Sequence, residues 1–207
     1  MKKKKLLIVA AAVLAAGAAA LSRGLDIFPQ REVPPYRTFG PEEAPVKVAE
    51  YSDLSCPACA AAWTGLEETA RKYPKYLRVE FKHYPLASVH RWSFDAALYA
   101  DCAGQQGRFK EYAGLLFTNQ KDWSRAENAP EQFGRYADLA GLERGALDAC
   151  LAAPETAEAV RLDMAEGDRR KIGSTPTFFV NGKRFVGPAQ LMRQLQYLAI
   201  TVKPENL

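Results

Sequence analysis

Val46-Lys-Val-Ala-Glu-Tyr-Ser-Asp-Leu-Ser-Cys-Pro-Ala-Cys59 joins an alternating apolar run to two cysteines separated by two residues. Val46, Val48 and Tyr51 have the β-branched or aromatic character of a buried strand, and Ser52 to Ser55 supply a polar break. Ala58 to Tyr73 then reads as a helix. With Cys56 as its N-cap and Pro57 at the first helical position, the proline loses no needed hydrogen bond and presets the backbone. Cys56 and Cys59, three apart, share one helix face within disulfide reach.

Unpaired N–H groups and the positive end of the helix dipole favour a thiolate at Cys56. Cysteines so placed have pKa values of roughly 3.5 to 7.5 instead of about 8.5, and a stable thiolate is also a good leaving group. Taken alone, Cys-x-x-Cys also fits half a zinc site or a structural pair. The other two cysteines, Cys102 and Cys150, form no second Cys-x-x-Cys, which leaves a four-cysteine zinc knuckle poorly supported. Haem attachment fails because Ala60 stands where a histidine is required.

Outward from this stretch, Met1-Lys-Lys-Lys-Lys5 precedes an uncharged run from Leu6 to Leu21. Residues 1–21 read as an export signal or a membrane anchor. Ala18-Ala-Ala20 offers a cleavage site, and the apolar run is short of the roughly 20 residues of a comfortable span. Either way the rest is expected in the periplasm or on the outer face of a cytoplasmic membrane, where disulfides persist. The net charge of +4 belongs to this segment: removing the four lysines of residues 1–20 lowers Lys+Arg from 28 to 24, equal to Asp+Glu at 24. No basic stripe points to nucleic acid. Residues 22–45 hold prolines 29, 34, 35, 41 and 45 and read as an extended or irregular N-terminal arm.

Beyond the cysteines, Leu77 to Tyr84 alternates as a second strand and completes a βαβ unit. Residues 87–171 show only helical spacing, in five segments, the last about Pro154 to Lys171. Thr177 onward returns to strands, with Asn181-Gly182 as a hairpin turn, and Pro188 starts a helix with Leu191, Leu195, Leu198 and Val202 on one face. Pro176 on this reading is an ordinary strand-initiating proline. Trp63, Trp92, Trp123, His83 and His90 read as structural. The order is β, α, β, helical insert, β-hairpin, α.

Four segments in this order resemble the thioredoxin fold, and specifically DsbA-like thiol:disulfide oxidoreductases with an inserted helical domain. They are Glu50 to Cys59, Phe81-Lys-His-Tyr-Pro-Leu86, Cys102-Ala-Gly-Gln-Gln-Gly-Arg-Phe109 and Gly173-Ser-Thr-Pro-Thr-Phe-Phe-Val-Asn-Gly182, and the likeness covers about residues 38 to 202. It implies an α/β, thioredoxin-like domain of residues 46–86 and 172–207, with residues 87–171 as the all-helical insert. It implies that Cys56 is the nucleophile, Cys59 its buried partner, and Thr175-Pro176 a cis-proline loop against the disulfide that receives extended substrates. Glu50 falls where the family has a buried acid and Lys82 where it has a nearby lysine, a pair that could relay protons; a strand-borne Glu could equally face solvent.

Two departures bear on the expectation. Pro57-Ala58 replaces the Pro-His of the archetypal DsbA, which points to a weaker oxidant. Residues 22–45 leave no room for the dimerisation domain of DsbC-type isomerases, so a monomer is expected. For Cys102 and Cys150 in an exported protein a disulfide is expected, with two buried thiols as the alternative. The implied activity introduces disulfides into unfolded or partly folded exported proteins, with no metal or organic cofactor, and with a DsbB-like or VKOR-like membrane quinone reductase as partner. The alternatives are an envelope reductase or isomerase and a non-catalytic thioredoxin-like chaperone.

Overall fold

The computed structural model describes residues 31–201. The export segment of residues 1–21, the start of the arm and Val202 lie outside them. Among the described residues no helix is long and apolar enough to cross a membrane. The strands are β1 (Thr38–Phe39), β2 (Val46–Ser52), β3 (Leu77–His83), β4 (Thr177–Val180) and β5 (Lys183–Val186). The helices are α1 (Pro57–Lys72), α2 (Ser93–Gln105), α3 (Phe109–Thr118), α4 (Gln120–Trp123), α5 (Ala129–Leu139), α6 (Arg144–Ala152), α7 (Pro154–Arg169) and α8 (Pro188–Thr201). The sheet order is β1-β3-β2-β4-β5; β2 and β3 are parallel and the other pairs antiparallel.

β2 lies at the centre, and of its seven residues only Lys47 is exposed, as expected for a strand covered on both faces. Its register sets Val46 beside Leu77, Val48 beside Val79 and Val180, and Glu50 beside Phe81 and Phe178. That face packs with Ala62 and Leu66 of α1 and Leu191 and Leu195 of α8. The opposite face carries Ala49, Tyr51 and Phe179 against Tyr84 and Ile172. There α7 closes in at Gly167, where a Cβ would sit 2.5 Å from the Tyr84 ring. The hairpin joins β4 to β5 through Asn181 and Gly182, both at positive φ. The Asn181 side chain accepts from Lys47 N at 2.8 Å and donates to Pro45 O at 3.1 Å, fixing the turn to the start of β2.

The arm joins the sheet earlier than its proline content suggests. Pro35–Arg37 form a 3-10 turn and Thr38–Phe39 pair with Glu80 and Val79 at the edge of β3. Prolines lack the N–H that an interior strand would need, but an edge strand of two residues tolerates them nearby. The chain then turns at Gly40 with φ +87°, where a Cβ would lie 2.0 Å from Leu77 O.

Six helices, not five, lie between β3 and β4. The extra one, α4, spans a single turn, too short for a periodic signal; it buries Trp123, whose indole donates to Leu116 O at 2.8 Å. Cys102 of α2 and Cys150 of α6 are joined by a disulfide with a Cα–Cα distance of 5.7 Å. A bridge across a sequence separation of 48 limits the unfolded chain enough to stabilise by roughly 4 kcal/mol in the chain-entropy model.

A buried ionic network fastens the arm, β3 and the insert together. Arg37 is fully buried, pairs with Asp163 of α7 and lies 3.1 Å from Asp101 of α2. Asp163 also pairs with Arg31 at 2.8 Å and accepts the His83 N–H at 3.1 Å. Glu166 accepts from Lys82 at 2.8 Å, Tyr51 at 2.7 Å and Arg170 at 3.1 Å.

Candidate active site

Cys56 caps α1 with extended backbone angles (φ −81°, ψ 122°), and Pro57 follows inside the helix. Its carbonyl accepts the N–H groups of Cys59 at 3.0 Å and Ala60 at 3.2 Å, so the first turn is closed beneath the sulfur. Cys59 is wholly buried, and both cysteines are thiols. The Thr175–Pro176 peptide bond is cis, and the Thr175 carbonyl oxygen lies 3.5 Å from Cys56 Sγ.

The two sulfurs are driven apart in acidity. The Cys59 thiol, donating to Cys56, lowers the Cys56 pKa to about 5 against the opposing effect of burial, with the Cys59 and Ala58 N–H groups and Thr175 adding to the lowering. Cys59 is pushed up, first by burial and then by the hydrogen bond and charge of Cys56 and the charge of Glu50. Cys56 is therefore the sulfur that holds a negative charge at neutral pH, and Cys59 the one that holds a proton.

Glu50 lies under this pair, fully buried, with its pKa raised by burial to about 7 while the Ser52 hydroxyl pulls it down. A buried acid whose folded pKa exceeds its unfolded value stabilises least when ionised: its contribution is intact below the unfolded value of 4.5 and fades as pH rises through about 7. Glu50→Gln should therefore raise the unfolding temperature at pH 8 more than at pH 4, measured by thermal melts at both.

Lys82 departs from expectation. The parallel register sets it beside Tyr51, whereas Glu50 sits beside Phe81, so the two side chains project from opposite faces of the sheet. Lys82 points away from the cysteines to Glu166 and to Arg31 O at 2.5 Å. The expected Glu50–Lys82 pair is thus replaced by an acid beneath Cys59 and a structural lysine on the other face of the sheet.

Two further side chains hold the turn and gave no motif signal. The Asp53 carboxylate accepts the N–H groups of Ser55 at 2.8 Å and Leu86 at 2.9 Å and contacts His90 Nδ1 at 2.8 Å, while the Asp53 N–H points at Cys59 Sγ, 3.4 Å away. Gln120 of α4 donates to both Leu54 O at 2.8 Å and Cys56 O at 3.0 Å, so the helical insert grips the cysteine turn from outside the sheet domain. Among the described residues no cluster of three or more His, Cys, Asp or Glu has metal-site geometry.

A thioredoxin family model matches residues 32–198. The crystal structure of Wolbachia pipientis alpha-DsbA1 superposes with a TM-score of 0.68 at 20% identity, over 82% of this chain and 95% of that one. Oxidised BdbD of Bacillus subtilis gives 0.66 at 22% identity, over 78% and 91%. Among curated proteins, the chain is similar to the Na(+)/H(+) antiporter NhaA 1 of Mycobacterium sp. (strain KMS), 37% identical over 175 residues, or 80% of this chain and 27% of the antiporter. It thus spans about a quarter of the length of the curated relatives it matches. With a Cys-Pro-Ala-Cys turn capping α1, a cis proline facing it, and a family match over most of its length, the chain belongs to the thioredoxin family and folds as the DsbA-type structures do.

Proposed function

We propose that this chain is an exported thiol:disulfide oxidoreductase that introduces disulfides into cysteine-containing, unfolded or partly folded proteins by exchange with a Cys56–Cys59 disulfide. The observation that carries this is the placing of Cys56 at the cap of α1 with buried Cys59 behind it and the cis Thr175–Pro176 bond in front, Thr175 O lying 3.5 Å from Cys56 Sγ; the same surroundings pull the Cys56 pKa down and push that of Cys59 up. Stabilising the Cys56 thiolate favours the reduced enzyme, which makes its disulfide more oxidising and makes Cys56 a good leaving group. A substrate thiolate attacks Cys56, the disulfide opens onto Cys59, and a second substrate thiolate then displaces Cys56, leaving substrate disulfide and enzyme dithiol. Thr175 and Pro176 flank Cys56 where an extended substrate would lie. Glu50 serves as the buried acid, and the Cys102–Cys150 disulfide is structural.

The lysine-rich start and the apolar run after it support export, and similarity to antiporters supports work at a membrane face. Reoxidation falls to a DsbB-like or VKOR-like membrane quinone reductase. The test is the reduction potential of the Cys56–Cys59 pair, by equilibration with glutathione buffers. A value well above that of thioredoxin, about −270 mV, and towards that of DsbA, about −120 mV, is expected; one at the thioredoxin end would assign a reductase instead.

A further inference from the structure

β2 places residues 46, 48, 50 and 52 on the face that packs against α1. The first two are valines at 1% exposure, yet the next two, equally buried, are an acid and a hydroxyl. The Ser52 backbone is committed, its carbonyl accepting Tyr84 N–H at 2.8 Å. Its hydroxyl oxygen forms no hydrogen bond to a protein group among the described residues, nor does either Glu50 oxygen. A buried polar group without such a partner detracts from stability, so packing gives no reason for a serine there. Ser52 shares the Glu50 face of β2, and the N–H of the next residue, Asp53, points at Cys59 Sγ 3.4 Å away, so the hydroxyl sits between the acid and that sulfur, where it lowers the pKa of each.

The other titratable groups around this trio are engaged elsewhere. Glu50 has uncharged neighbours, Phe81 and Phe178, on the adjoining strands, and Cys59 of α1 is near enough to feel its charge. Beside Ser52, His83 lies 3.4 Å from Asp101. Asp53 directs its carboxylate to Ser55, Leu86 and His90, and Lys82 lies behind the sheet on Glu166.

We infer that Ser52 is a catalytic residue of the exchange proposed above, passing a proton between the Glu50 carboxyl and the Cys59 sulfur. The inference rests on that reading of the site. When a substrate thiolate attacks Cys56 of the Cys56–Cys59 disulfide, the sulfur–sulfur bond breaks and its electron pair leaves on Cys59. Ser52 gives its hydroxyl proton to Cys59 and takes one from the neutral Glu50 carboxyl. The products are the substrate–Cys56 mixed disulfide, a Cys59 thiol and a Glu50 carboxylate, which regains a proton from solvent. Burial of Glu50, which raises its pKa to about 7, lets it hold that proton near neutral pH.

The test follows reduction of the oxidised full-length protein by dithiothreitol in stopped flow from pH 5 to 9, for the parent, Ser52→Ala and Ser52→Thr. Ser52→Ala should slow the step at least ~10-fold and move its pH inflection upward, because Glu50 loses the group that lowers its pKa. Ser52→Thr, which keeps a hydroxyl, should restore both. A parent-like rate and pH profile in Ser52→Ala overturns the relay and leaves the oxidoreductase reading standing, as does a lowered melting temperature with an unchanged profile. A parent disulfide that dithiothreitol does not open overturns the reading and the relay together.

Discussion

Replacing Cys56 by serine abolishes dithiol oxidation, reducing the rate to that of the uncatalysed reaction in air. The expectation follows from the division of labour at the head of α1. Thiolate is the nucleophile and the leaving group in exchange, and of the four cysteines Cys56 alone combines a lowered pKa with a place at a helix cap. Serine keeps the cap but brings no sulfur. Cys59→Ser should behave differently: Cys56 still enters exchange with an already oxidised substrate, but the internal disulfide cannot form, so mixed disulfides accumulate and appear on non-reducing gels. A reduced, unfolded protein with countable thiols serves as substrate for oxidation, and its disulfide-bonded form serves for trapping by Cys59→Ser. A chaperone without redox chemistry would bind that protein equally well in the Cys56→Ser variant and would show no oxidation in the parent.

The second large effect lies behind the sheet. Glu166→Leu should destabilise the fold by about 3 to 5 kcal/mol, the usual cost of removing one member of a buried ion pair. The carboxylate accepts from Lys82, Tyr51 and Arg170, all of them deep in the protein, and its loss leaves the Lys82 ammonium without its anion. In a protein of this size that corresponds to a fall in melting temperature of roughly 10 °C. Lys82→Met combined with Glu166→Leu should cost less than the sum of the two single changes, because the double variant no longer strands the Lys82 ammonium. Urea unfolding of the four proteins measures the difference. At temperatures where they remain folded, the Lys82 variants should keep the parent rate of exchange, since the lysine points away from the cysteines.

Much of this was legible in the chain itself, because the decisive signals are local. Cys56-Pro57 at the head of a helical pattern, Asn181-Gly182 between two apolar runs, and the alternation of Leu77 to Tyr84 each carry their own geometry. What escaped depends on partners far away in sequence. Whether Lys82 looks toward Glu50 turns on the register of β2 against β3 and on an anion 84 residues further along, neither of which alternation reveals. Arg37, Asp163 and Glu166 resemble surface residues in any window of sequence, and they become interior only as a set. Gln120 and Asp53 hold the cysteine turn through paired side-chain contacts with backbone, which no spacing rule encodes.

Both margins of the sheet are short. β1 has two residues and β5 four, the latter beginning with Lys183 and Arg184 and ending where Gly187 and Pro188 turn the chain into α8. Charged, abbreviated borders give a foreign strand little to zip onto. For a molecule whose proposed work is to meet sticky, half-made polypeptides, this resists co-aggregation: a client is offered purchase beside the sulfurs and little elsewhere along the ribbon of the sheet.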